Sequence, residues 1–367
     1  MGYGIDILNN IRGNASEEYQ NRIPEATREN ITAIGNALQT WTIVRNEFCN
    51  ALFNRIGKTI LEQKLFKNKL ARFKSGTVTD GKDVEEIFIE MAKSEGAYDI
   101  DGSNPLGRRA WDGVNTIYHR MNRQDKYVVS IGDMDFVRAF QSEATLESFI
   151  KGRINAVYSG ASYDEWLAMK NLIGTYDGYF EVLCPVITYD PELEKHLVYA
   201  FYDKDPVNAA TYVESFDNHA MAMKHLATDF LRRVRKVVED MSFPSAKFNK
   251  AGVMTWTNPE DCVLLLNKDL VTEIDVNVLA DTFHLEKKSI PTTVISMDDF
   301  GSLEDVYAVL VDKEWFKVFD VLSHMEPQRN ADGLFTNYFY HVWQILSCSP
   351  FKNAVVFKKH PDGVSVI

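Results

Sequence analysis

The sequence predicts an α+β fold, because helical and strand-like stretches occupy different parts of the chain. Three observations carry that reading. Leu146, Phe149, Ile150, Ile154 and Val157 recur at steps of three and four, and the pattern resumes beyond a break near Gly160 with Trp166, Leu167, Met169, Leu172 and Ile173. This is the signature of one long, bent helix. The stretch from Val306 to Phe357 is rich in β-branched and aromatic residues. Between Lys58 and Ile131, apolar residues are too sparse for the segment to build a core of its own.

The N-terminal segment to about Asn50 is polar and then helix-prone, with Ile31, Ile34, Leu38, Trp41 and Val44 at helical intervals; it reads as an arm leading into a helix. A basic stretch then follows, Lys58, Lys64, Lys67, Lys69, Arg72 and Lys74, and gives way to an acidic one, Asp80, Asp83, Glu85, Glu86 and Glu90. Strand character returns from Ile117 to Ile131. Beyond the long helix come a short buried strand around Phe180 to Ile187 and a polar insertion with Asp190, Pro191, Asp203, Asp205 and Pro206. A second long helix carries the stripe Phe216, Met223, Phe230, Val234, Val237 and Met241 and is ended by Pro244. The apolar run Cys262 to Leu266, a helix near Val276 to Phe283 and a strand from Thr292 to Ser296 precede the strand-rich end. There, Leu334 to Leu346 has two largely apolar or aromatic faces, and its composition favours strand over helix. Fully extended at roughly 3.3 Å per residue it reaches about 40 Å, twice the commonest strand length.

The 367 residues are 45% hydrophobic and 25% charged, a globular composition with length for roughly two to three domains. Lys and Arg number 40 against 52 Asp and Glu, a net charge of −12, whereas proteins that coat a duplex are usually basic. No stretch approaches the ~20 apolar residues of a membrane helix, and Met1 to Asn14 carries no secretory leader. The expectation is a soluble protein made in a cytoplasm. Cys49, Cys184, Cys262 and Cys348 are scattered, with neither a CxxC pair nor a histidine at metal-ligand spacing, and read as free, mostly buried thiols. No phosphate-cradling glycine motif occurs. Tyr98 to Ser103 fails as a calcium loop, since Ala110 stands where a bidentate Glu is required. His219 and His225 do not share a helix face, and Ser159 to Ser162 lacks a nucleophile elbow. No catalytic, cofactor-binding or metal-ligating residue is therefore predicted.

Charge points instead to contacts between chains. Lys64, Lys67, Lys69, Arg72 and Lys74, set against Asp83, Glu85 and Glu86, are the candidate inter-subunit residues, because an excursion that cannot bury itself can lie across another subunit of complementary charge. Arg232, Arg233 and Arg235, with Lys236, form a dense basic cluster near a helix C-terminus, where cations favour the helix dipole. They are also candidates for contact with DNA or an acidic neighbour.

Specific residues give a resemblance. Val309-Leu310-Val311-Asp312-Lys313-Glu314-Trp315-Phe316, followed by Arg329-Asn330, Asn337-Tyr338, His341-Val342-Trp343-Gln344 and Asn353-Ala354-Val355-Val356-Phe357, resembles the major capsid proteins of phi-29-type short-tailed bacteriophages in order and spacing. Similarity extends through Arg55-Ile56-Gly57, Arg72-Phe73-Lys74-Ser75-Gly76, Val84-Glu85-Glu86-Ile87, His119 to Arg123, Glu147-Ser148-Phe149, Ile154-Asn155-Ala156-Val157-Tyr158 and Ile274 to Ala280. It covers most of the chain.

The resemblance implies a Hong Kong 97-type capsid fold: an N-terminal arm (1–55), an extended loop (56–130), a peripheral domain (131–176 and 312–367) with a spine helix from about 145 to 176, and an axial domain (177–311). It further implies self-assembly into pentamers and hexamers of an icosahedral or elongated shell, built in the host cytoplasm with a scaffolding protein and a portal. Packaged DNA would be touched weakly, and no cofactor is implied. Gly152, Gly160 and Gly174 are the expected compliant points of the spine helix during shell maturation. Noncovalent assembly is expected. Relatives can carry an additional immunoglobulin-like domain after the shell domain, whereas this sequence stops at Ile367, soon after Phe357. A minor phage structural protein, a nucleic-acid-binding module and an enzyme whose site converges only in three dimensions are the competing readings.

Overall fold

The computed structural model describes residues 3–41, 43–49, 51, 66–79, 81–92, 113–141, 152, 155–201, 211–268, 270 and 293–359. The chain divides into two compact units, Met1–Lys82 with Arg120–Ala168 and Phe319–Leu346, and Asp83–His119 with Met169–Val318 and Ser347–Ile367.

In the first unit the N-terminal segment is folded rather than outstretched. Helices α1 (Tyr3–Gly13), α2 (Glu17–Arg22) and α3 (Ile31–Thr40), with helical residues 43–49, bury Ile5, Leu8, Ile11, Tyr19, Ile34, Leu38 and Phe48 in one core. Polar side chains hold the turns between them. Ser16 caps α2 by accepting from the Tyr19 N–H, while its own N–H and hydroxyl donate to Glu47. Asn9 exchanges two hydrogen bonds with the backbone of Ala26. The core is completed by Val129, Ile131, Phe140, Val157, Met325 and Tyr338. The segment read as an arm is thus a helical layer of this unit.

The unit's sheet runs β1 (Gly76–Thr77), β12 (Phe316–Asn330), β13 (Phe335–Cys348), β4 (Arg123–Gly132). The aromatic run expected to be a strand is β13, 14 residues long, antiparallel to β4 from Phe335 opposite Gly132 to Gln344 opposite Arg123. Helix α4 (Asp133–Ala139) follows β4, and residues 155–168 of helix α5 (Asn155–Thr175) also belong here. The expected earlier start of that helix lies outside the described residues, except at Gly152.

The second unit is built on a five-stranded sheet in the order β10 (Thr293–Met297), β9 (Cys262–Asn267), β11 (Val306–Asp312), β14 (Ala354–Lys359), β5 (Phe180–Cys184). Strands β9 and β11 are each buried at five successive positions and β14 at four, which explains their nearly continuous apolar sequence. Helix α6 (His219–Met241) lays Leu226, Phe230, Leu231, Val234, Val237 and Met241 against Leu264, Leu266, Leu310, Val355 and Phe357. Phe216 is not part of that stripe. It ends strand β8 (Thr211–Phe216), because the Asn218 side chain accepts from the Ala220 N–H and starts the helix only at His219. A three-stranded sheet, β6 (Val186–Asp190), β7 (Lys195–Phe201) and β8, folds out of part of the polar insertion. The helix expected near Val276 to Phe283 lies outside the described residues. Strand β14 pairs with β11 and β5 in this unit, so not every strand after Asp312 joins the long-stranded sheet.

Candidate subunit-contact surface

Strands β2 (Asp83–Ile89) and β3 (Val114–Arg120) form a two-stranded ribbon. Glu90 N–H donates to the Gly113 carbonyl and the Tyr118 hydroxyl to Glu85, so the strands run antiparallel. Exposure alternates along both, and the two faces differ in chemistry.

The inner face is fastened by polar groups. Glu86 accepts from Ser349 at 2.8 Å and from the Lys317 ammonium at 3.2 Å, and lies 3.0 Å from His119 Nε2. His119, 2% exposed, meets Ser347 Oγ at 2.9 Å through its other ring nitrogen. Burial would push the Glu86 carboxyl up, but the hydrogen bond from His119, the Lys317 charge and the Ser349 hydroxyl outweigh it and hold the group below the usual carboxylate range. Beside this cluster Phe88 stacks on Phe351 at 5.5 Å. The support that the sparse apolar content of this segment demanded is therefore found, for the inner face, within the unit.

The outer face has no such cover among the described residues. Ile87, Ile89, Val114 and Tyr118 are 54, 60, 51 and 57% exposed, next to exposed Asp83 and Glu85. A cluster of apolar side chains on one face marks an interaction site more often than scattered ones do. Sequence reasoning missed these four residues because it weighed the charges; the available signal was the run Ile87-Phe88-Ile89 inside an acidic stretch.

The candidate residues separate accordingly. Asp83 and Glu85 point outward, and Glu86 is held within the chain. On the first unit, Lys67, Lys69 and Arg72 are exposed, whereas Lys74 reaches Glu165 at 2.9 Å and Asp320 at 2.7 Å. Burial would lower the Lys74 pKa, but those two carboxylates raise it above its ordinary value. Glu165 also accepts from Asn68 and Gln344. Lys74 and Glu86 are thus already paired within the chain, and Lys64 lies outside the described residues. Arg233 is similarly engaged, with Asp229 at 2.7 Å and the Leu183 carbonyl at 3.2 Å, while Arg232 is exposed and Arg235 half-buried.

The three glycines are not equivalent. A Cβ on Gly152 meets nothing within 4 Å, and one on Gly160 meets Tyr127 at an ordinary 3.8 Å. On Gly174 it would fall 2.6 Å from the Ser302 backbone nitrogen, so this glycine permits close approach of the turn after Asp299. That turn is fastened to α5 by Lys170, which reaches Asp298 at 2.9 Å and Asp299 at 2.7 Å.

A cleft of about 350 Å³ in the second unit is lined by Phe88, Ile89, Met254, Trp256, Lys313 and Lys352 among others, and holds no histidine or cysteine. Among the described residues no group of three or more His, Cys, Asp or Glu is placed to hold a metal, and no helix is long and apolar enough to cross a membrane. The four cysteines are free, three of them buried.

The family model for the Phi29-like phage major capsid protein matches residues 8–358. The chain is 35% identical over 364 residues to the major capsid protein of Bacillus phage B103, covering 98% of this chain and 74% of that protein. It is 33% identical to the major capsid protein of Bacillus phage PZA, with 96% and 72% covered. Among solved structures it is similar to a chain in the capsid structure of Staphylococcus phage Andhra, with a TM-score of 0.57 at 13% identity, covering 83% of this chain and 87% of that chain.

Proposed function

This chain belongs to the Phi29-like phage major capsid protein family, and we propose that its copies associate through the exposed outer face of the β2–β3 ribbon. The chain is a phage major capsid protein of the Hong Kong 97-type fold, a component of the virion that self-assembles into the shell. Within that role, the ribbon is the extended loop, α5 the spine helix, the long-stranded sheet around it the peripheral domain, and the five-stranded sheet with α6 the axial domain. Assembly takes place in the bacterial cytoplasm with a scaffolding protein and a portal.

The observation that carries the reading is the two-faced ribbon. Fully burying an isoleucine side chain gains about 1.5–3 kcal/mol. Ile87, Ile89, Val114 and Tyr118 are each about half exposed, so covering them contributes on the order of 1 kcal/mol apiece. An exposed ion pair adds only about 0.2–1 kcal/mol. Apolar burial therefore supplies the attraction, and the flanking charges set the register. Each contact is weak, and closure of the shell multiplies it over every copy. The net charge of −12 suits a container that must release its DNA, because a strongly basic lining would bind phosphate in a salt-dependent grip. Gly152 and Gly160, which have room, are the compliant points of the spine helix; Gly174 is a packing glycine.

The test is an I87D/I89D chain expressed with the assembly genes of its phage. It should keep the circular dichroism and melting temperature of the parent, since both side chains are exposed, yet yield no fast-sedimenting particles. Particles in parental yield would overturn the proposal.

A further inference from the structure

The long-stranded sheet of the first unit has one face that its core does not use. Along β13 the buried residues Thr336, Tyr338, Val342 and Gln344 alternate with Phe335, Asn337, Phe339, His341 and Trp343, which stay partly open to solvent. On β4 the exposed partners on that open side are Ser130 opposite Asn337, Val128 opposite Phe339, Lys126 opposite His341 and Gln124 opposite Trp343. The Ser130 hydroxyl donates to Asn337 Oδ1 at 2.5 Å, and the Lys126 ammonium lies 5.4 Å from the centre of the Phe339 ring. The solvated face of an antiparallel sheet is ordinarily polar, yet this one carries three aromatic rings. Its polar groups are a cation, an imidazole, two amides and a hydroxyl, and these nine positions hold no carboxylate although the chain has a net charge of −12.

We propose that this face binds single-stranded nucleic acid, with unpaired bases stacked on Phe339 and Trp343 and Lys126 against a phosphate. An apolar protein partner would be matched by a continuous apolar patch, whereas here Asn337 and His341 separate the rings. A strand of alternating rings and polar groups suits a ligand that itself alternates planar bases with a polar backbone. The spacing agrees. Alternate residues of β13 stand roughly 6.7 Å apart, about twice the 3.4 Å rise per nucleotide in a stacked strand, so an unstacked strand lying along β13 has room to set a base on a ring. A duplex is a poor fit, because its base faces are hidden in the stack and it is gripped through many cations on phosphates, where this face has one lysine. The inference goes beyond the shell reading and does not depend on the ribbon.

The experiment titrates the full unassembled chain into fluorescein-labelled oligothymidylate and oligouridylate of about 12 nucleotides, and into a duplex of the same length, and follows anisotropy. Binding of either single strand, with the duplex at least tenfold weaker, is the expected result. F339L/W343L keeps apolar bulk but removes both rings and should weaken binding at least tenfold. V128E changes a residue that is 49% exposed, leaves every ring in place, and should also weaken binding by setting a carboxylate beside the phosphates; circular dichroism should match the parent. No binding of either single strand, a duplex bound as tightly as a single strand, or parental affinity in a folded F339L/W343L or V128E chain would overturn the proposal. So would a V128E chain that binds oligonucleotide normally but no longer forms particles, which would mark the face as a protein interface.

Discussion

Glu86 is one of the residues that fasten the ribbon's inner face. It is held within reach of His119, Lys317 and Ser349, and its pKa is depressed below the ordinary 4.5. A depressed carboxylate stabilises the fold above its unfolded pKa, and that stabilisation is lost as pH falls through the lower, folded value. Amide exchange at residues 83–90, corrected for intrinsic rates, should therefore be slow at neutral pH and quicken only below about pH 4.5. An E86Q chain should lose about 1–3 kcal/mol of protection at pH 7, the cost of leaving the buried partners of the carboxylate unmatched, and should show no further loss on acidification through that window. At this scale the sequence was only partly legible. It marked Lys74 and Glu86 as charged contact residues but could not reveal that each is paired within its own unit, because their partners Glu165, Asp320, Lys317 and Ser349 lie 91 or more residues away. Free, mostly buried cysteines could be read, since each sits beside an apolar or small residue in the sequence itself.

At the scale of elements, periodicity did most of the work, and it failed where a cap or a turn decided the boundary. The two long helices and the buried run β9 follow from pattern, and the long strand β13 from its β-branched and aromatic composition. Phe216 was drawn into α6 because its spacing continued the stripe, whereas Asn218 starts the helix after it. Two substitutions test what the glycines of α5 do. G160A should raise stability by about 0.5–1 kcal/mol, the usual difference between Gly and Ala inside a helix, as its Cβ has an ordinary neighbour at 3.8 Å. G174A should cost about 1–3 kcal/mol by overpacking, since the obstacle is backbone 2.6 Å away. Thermal melts would distinguish these outcomes. If Gly160 is a compliant point, G160A shells should also shift toward the rounded precursor form, and an unchanged ratio of precursor to mature shells would remove it from that role. In the second unit, F230A should cost about 3–5 kcal/mol, because Phe230 is fully buried between Tyr307 and Phe357; a melt lowered by less than this would mean the site collapses around the gap.

For the whole molecule, the proposed function turns on a surface that other copies would finish. The sequence hinted at it through a segment too poor in apolar residues to support itself. The structure refines the hint, because the ribbon's inner face is supported at home and its outer face, among the described residues, is exposed. The family resemblance supplied the architecture, but the N-terminal segment, expected as an arm, is packed into the core of its own unit, with Ile34 and Leu38 fully buried. Its apolar spacing was visible; that Tyr338 and Phe140 would receive it was not, since they come from remote strand and helix segments. The most direct measurement is an electron cryomicroscopy map of shells made by this chain, at a resolution that places side chains. The account predicts that Ile87, Ile89, Val114 and Tyr118 are buried against a neighbouring copy in the closed shell. A closed shell in which those four side chains still face solvent would contradict it.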